Sequence, residues 1–163
     1  MKNKNGMSEI VVSLILVALT VVSVVIVSVV VNNLIKEKIG KSEDCFGNFG
    51  KISIDERYTC YDDANKRVQF AISIGDVEIE SLLVSISTQA GAEPITITSN
   101  LQTISGLTYF GGTPEGQVKL PLKNGGKTYL YDFDTRPDII QIAPLIGGTQ
   151  CEVSDVVADI DDC

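Results

Sequence analysis

The chain has 163 residues and not one of them is histidine. That absence removes the Ser-His-Asp and Cys-His pairs on which the commonest hydrolases depend. No Asn-x-Ser/Thr acceptor occurs either, so N-glycosylation on that sequon is not expected. Charge is missing altogether from Ile10 to Val31. These 22 residues also lack Gly and Pro, and as a helix they would rise roughly 33 Å, against about 30 Å for the hydrocarbon core of a bilayer. A secretory signal has a shorter apolar region, about 7 to 15 residues, and ends in a small-residue cleavage site. Here the run continues into Asn32, Asn33, Leu34 and Ile35 and then the charged Lys36-Glu37-Lys38. The span is therefore expected to stay on the protein as a transmembrane helix. Its polar interruptions, Ser13, Thr20, Ser23 and Ser28, are expected to bond back to the helix's own carbonyls.

Basic charge is scarce beyond the span. Ser42 to Cys163 carries 19 acidic and 8 basic residues, a net of −11, which argues against a nucleic-acid partner. Cysteine is scarce too, and its placement is informative: Cys45, Cys60, Cys151 and Cys163 all follow the span. An even number there suits a disulfide framework in an oxidising exterior. Of the three possible connectivities, closeness in sequence favours Cys45 with Cys60 and Cys151 with Cys163, each loop contributing about 3 kcal/mol. Structural zinc usually takes a close C-x2-4-C pair, and these spacings are wider. Lysines flank the span on both sides, Lys2 and Lys4 before it and Lys36, Lys38 and Lys41 after it. Positive charge thus orients the helix only weakly, and the cysteines decide it: leader in the cytoplasm, domain outside.

The mouth of the span is more specific. Lys2-Asn3-Lys4-Asn5-Gly6-Met7-Ser8-Glu9-Ile10-Val11-Val12 places a short basic leader, a glycine and a lone carboxylate directly before the aliphatic run. An acid in a first turn suits the positive end of a helix macrodipole, which is the plain structural account of Glu9. The whole stretch resembles the class III signal of archaeal type IV pilins and archaellins. That resemblance covers roughly the first 35 residues. It implies that a membrane-embedded prepilin peptidase cuts after Gly6, that Met7 is the new N-terminus, and that Glu9, the third mature residue, serves assembly. Bacterial pilins carry their glutamate two residues deeper, so the match is to the archaeal variants. The family's partners would follow: other copies of the chain in a homopolymer, the assembly platform with its ATPase, and the membrane before assembly. No cofactor is implied.

Past the span, Asn32 to Lys41 keeps helical spacing through Leu34, Ile35 and Ile39, with Gly40 as the expected stop. From Lys51 the period changes to two. Lys51 to Asp55, Arg57 to Tyr61, Arg67 to Ile74, Asp76 to Thr88, Pro94 to Thr98, Gln117 to Leu122, Lys127 to Phe133 and Asp138 to Ala143 read as strands. Asp62 to Asn65, Ala90 to Glu93 and Gly147-Gly148 read as turns, and Asn124-Gly125 as a hairpin turn joining the strands on either side. Val153, Val156, Val157 and Ile160 recur at i, i+3, i+4 and i+7, which predicts a short closing helix. The expected fold is therefore α+β: a long N-terminal hydrophobic helix, then a mainly antiparallel β-sandwich. The expected divisions are a leader at 1–6, a filament-core helix and stalk at 7–41, and an extracellular disulfide-stapled head at 42–163.

Three further stretches invite a chemical reading. The Gly-rich loop Tyr109 to Gly116 lacks the Gly-Lys-Ser/Thr ending of a phosphate loop. Asp134-Thr135-Arg136 has an arginine where an aspartic protease needs a small glycine, and an adjacent cation lowers a carboxylate's pKa instead of letting a dyad share a proton. Asp155, Asp159, Asp161 and Asp162 do not follow the alternating offsets of a calcium loop. The expectation is a non-enzymatic surface protein. A single-pass ectodomain that binds a ligand on its loops is the rival to a filament subunit, and a minor subunit that primes or tips a filament is a variant of the latter.

Overall fold

A computed structural model describes residues 6–48, 50–113 and 116–163, without the side chains of 6–10 and 34–44. The chain forms two units, Met1–Lys41 and Ser42–Cys163.

The first unit is the greater part of helix α1 (Gly6–Phe46). Within it Val11–Asn33 is long and apolar enough to cross a membrane, and none of it is buried. Two of its hydroxyls turn back on the helix as expected: Thr20 Oγ1 donates to the Val17 carbonyl and Ser23 Oγ to that of Leu19, each at 2.8 Å. The helix does not stop at Gly40. An interior glycine weakens a helix by only about 1 kcal/mol relative to alanine, and α1 continues to Phe46. There the Asn48 N–H closes on the Cys45 carbonyl at 3.2 Å.

The second unit holds ten strands among its described residues, all in antiparallel ladders: β1 (Ile52–Ile54), β2 (Cys60–Asp62), β3 (Arg67–Ile74), β4 (Ser81–Thr88), β5 (Gly91–Thr98), β6 (Leu107–Tyr109), β7 (Gly125–Asp132), β8 (Ile139–Ile146), β9 (Thr149–Gln150) and β10 (Asp155–Ala158). One sheet runs β1-β3-β7-β6, with β2 following β1 along the same edge of β3. The other runs β10-β8-β4-β5, with β9 and β10 sharing one edge of β8. The overall class is α+β. Alternation along β3 and β4 points Val68, Phe70, Ile72, Leu82, Val84 and Ile86 inward, and all join one buried cluster with Tyr129, Ile97, Ile140 and Ile142. Burying each such side chain contributes about 1.5–3 kcal/mol.

Pro144 sits inside β8, not after it. The Leu145 carbonyl faces β4, where it accepts from Glu80, so Pro144 faces the opposite edge, where its carbonyl accepts from Cys151. Its missing N–H falls in the gap between β10 and β9, and no ladder bond is lost.

Several expectations are corrected here. The bridges join Cys45 to Cys151 and Cys60 to Cys163, with Cα atoms 5.5 and 5.0 Å apart. The neighbour pairing fails because the sheets bring the end of the chain back to its beginning. Tyr61 donates to the Asp161 carbonyl at 2.8 Å and Cys163 to that of Tyr61 at 3.1 Å, laying the C-terminus beside β2. The closing helix is instead strand β10, in register with β8 through Val157 and Ile140. Val153 and Val156, half of the supposed apolar stripe, are more than 40% exposed. Asn124 does take the positive φ of a turn, yet the strand that follows it pairs with β3 and β6. Gln117–Leu122 makes only one isolated bridge, Val118 with Gln102. Arg57 to Tyr61 splits into a 3-10 turn (Glu56–Tyr58) and the start of β2. The strand expected from Asp76 begins at Ser81, and β5 begins already at Gly91.

Candidate functional site

The N-terminal motif is laid out by α1. The described part of α1 starts at Gly6 and includes Met7 and Glu9. The positive end of the helix macrodipole lies on this side of α1, which suits a carboxylate at position 9. The Glu9 side chain and residues 1–5 of the leader lie outside the described residues.

Behind this stretch comes the feature that dominates the molecule. Every large apolar side chain from Val11 to Val31 is between 44 and 65% exposed. A helix apolar on all sides is covered in use, by lipid or by protein, because water charges about 25 cal/mol for each Å² of apolar surface left bare.

The head was searched for chemistry on the same terms. A shallow polar recess is lined by Thr88, Glu93, Asp132, Phe133, Asp134 and Thr135. Its acids are largely engaged: Asp132 pairs with Arg67 at 2.6 Å, and Glu93 accepts from the Tyr131 hydroxyl. Arg136 pairs with Asp162, so the Asp134-Thr135-Arg136 stretch and the C-terminal acids meet as an ion pair. Asp155 serves the fold, and its sequence context did not reveal this: it accepts the Ile54 N–H at 2.8 Å and so links β10 of one sheet to β1 of the other. Among the described residues no group of three or more His, Cys, Asp or Glu side chains could hold a metal ion. In the Gly-rich loop, Phe110 to Thr113 are exposed; Pro114 and Glu115 lie outside the described residues.

The buried tyrosines give the head a pH limit. Burial, then the hydrogen bond to Glu93, pushes the Tyr131 phenol up to about 12. Burial also raises Tyr129, whose hydroxyl donates to the Lys119 carbonyl at 2.8 Å. An unfolded phenol ionises near 10, so above that pH the unfolded state binds fewer protons than the folded one and stability falls. The stabilisation is complete below about pH 10 and is lost as pH rises through 12. Phenolate absorbance and circular dichroism followed together should show these two tyrosines titrating only as the head unfolds. Their ionisation in a still-folded head would contradict the burial.

The cysteine pairs place all four sequence-nominated sulfurs in the head, at its entry and its exit, well away in sequence from Gly6, Met7 and Glu9. No protein-family model, no curated protein and no solved structure matches this chain, so its residues and their geometry carry the functional argument alone.

Proposed function

We propose that the chain is a structural subunit of an archaeal type IV pilus-like surface filament and performs no catalysis of its own. The observation that carries this reading is the helix Val11–Asn33, apolar on every side and wholly unburied, standing directly behind a basic leader, Gly6 and Glu9. A prepilin peptidase would cut after Gly6 on the cytoplasmic side and leave Met7 as the mature N-terminus. Lipid then covers the helix until an assembly platform and its ATPase move the subunit into the polymer. In the polymer, copies of the helix bury one another, each CH2 contributing about 0.8 kcal/mol. Glu9 would meet the N-terminal amine of a neighbouring copy, an attraction that strengthens in a dry core. The two bridges suit an oxidising exterior, and the acidic head, packed as a β-sandwich, would lie on the outer face of the filament.

Two measurements test this. Mass spectrometry of the protein from its native cells should find Met7 at the N-terminus. Glu9→Ala should leave membrane insertion intact and lower filament yield; filaments at normal yield would remove the role given to Glu9. An intact leader on protein dispersed in lipid would favour the rival reading, a tethered ectodomain holding its ligand on the loops.

A further inference from the structure

The two bridges are interlaced. Cys45 reaches over Cys60 to Cys151, and Cys60 reaches over Cys151 to Cys163. From this connectivity we infer that no single backbone cut anywhere between Cys45 and Cys163 separates the head from the helix, and that release requires a cut and thiol reduction together. A cut between Cys45 and Cys60 is spanned by the first bridge. One between Cys151 and Cys163 is spanned by the second, and one between Cys60 and Cys151 by both. The neighbour pairing would leave everything from Cys60 to Cys151 unspanned, which is the larger part of the head and includes its exposed loop at Phe110 to Thr113.

The chemistry of the two steps is independent. A protease adds one water across a peptide bond and leaves both S–S bonds whole. A small thiol then reduces each bridge to two cysteine thiols and is itself oxidised to its disulfide. Neither reaction alone breaks the molecule into two. On a surface exposed to proteases but poor in thiols, a nicked head stays attached. Where both agents meet, the part beyond the cut is released. The arrangement serves a filament subunit and a tethered ectodomain alike, so it does not depend on the function proposed above.

The test uses the full chain in phosphatidylcholine vesicles, with the recognition sequence of a site-specific protease inserted between Gly112 and Thr113. Vesicles are treated with protease, with dithiothreitol, with both or with neither, then sedimented in urea so that folding alone holds nothing together. The C-terminal fragment is expected in the supernatant only after both treatments. Its release by protease alone would overturn the inference, and so would its retention after both. The same insertion in chains carrying Cys45→Ser with Cys151→Ser, or Cys60→Ser with Cys163→Ser, should still hold the fragment until thiol is added, because one spanning bridge suffices. Release from either variant without thiol would show that the remaining pair is not bonded as described.

Discussion

Replacing all four cysteines by serine is expected to cost the head about 8 kcal/mol, which exceeds the lower end of the 5–15 kcal/mol stability of an ordinary domain and is about half of the upper end. The figure follows from the interlaced connectivity. One bridge closes a loop of just over 100 residues, which in the chain-entropy model contributes about 4.7 kcal/mol. With that bridge in place, the second closes a much smaller circuit of roughly 27 residues, Cys45 to Cys60 and Cys151 to Cys163, for about 3.5 kcal/mol. Removing either bridge alone therefore costs about 3.5 kcal/mol, because the survivor still closes the long loop. The comparison that isolates the pairing sets Cys45→Ser with Cys151→Ser, which breaks one bridge, against Cys45→Ser with Cys60→Ser, which breaks both. Urea denaturation of the full chain in detergent micelles should show the second pair destabilising by more than twice as much as the first. Equal losses would contradict the connectivity.

Phe70→Ala should bring the largest loss from any single side chain, about 3–5 kcal/mol. Phe70 lies in the middle of β3, wholly buried, opposite Tyr129 of β7, and the two rings stack with centroids 5.4 Å apart. Truncation removes the transfer energy of the ring and leaves a void in the buried cluster that the stiff β-branched neighbours Val68 and Ile72 cannot fill. Leu122→Ala is the matched control, since Leu122 is 74% exposed and a surface change of this kind stays within about 0.5 kcal/mol. A Phe70→Ala chain unfolding at the same urea concentration as the Leu122→Ala chain would mean that the shared core is misplaced.

Where the pattern in the chain was long, it was readable. Eight residues from Arg67 to Ile74 alternate in the sequence and form β3 with those bounds. The apolar span is equally plain, because more than twenty consecutive residues without charge leave little choice of environment. Where the pattern was short, it misled. Val153, Val156, Val157 and Ile160 fit a helical period, but four positions cannot separate a period of 3.6 from one of 2. The cost of nucleating a helix in so short a segment left β8's free edge as the better partner. β6 was missed for a related reason. Its three residues carry no periodicity, and Leu107 to Tyr109 becomes a strand only because β7 lies beside it.

The candidate motif at Gly6, Met7 and Glu9 rests on contiguous residues alone, and its role is the proposal made above. The role of Asp155 was not legible, because its partner Ile54 lies 101 positions away. The same distance hid the bridges. Sequence proximity is a fair guide to contact only in an unfolded chain, where loop closure favours short loops.

By itself, then, the order of residues determined the unburied apolar helix, the switch to a two-residue period after it, and the acidic, cysteine-bearing stretch from Ser42 onward. Those are properties of neighbours, set by solvation and local backbone geometry. Which sulfurs bond, which strands lie side by side, and whether the last apolar residues coil or extend were decided only by tertiary structure. Each depends on surfaces that meet only in the folded chain, where residues of both sheets join one buried cluster and the end of the chain returns beside β2.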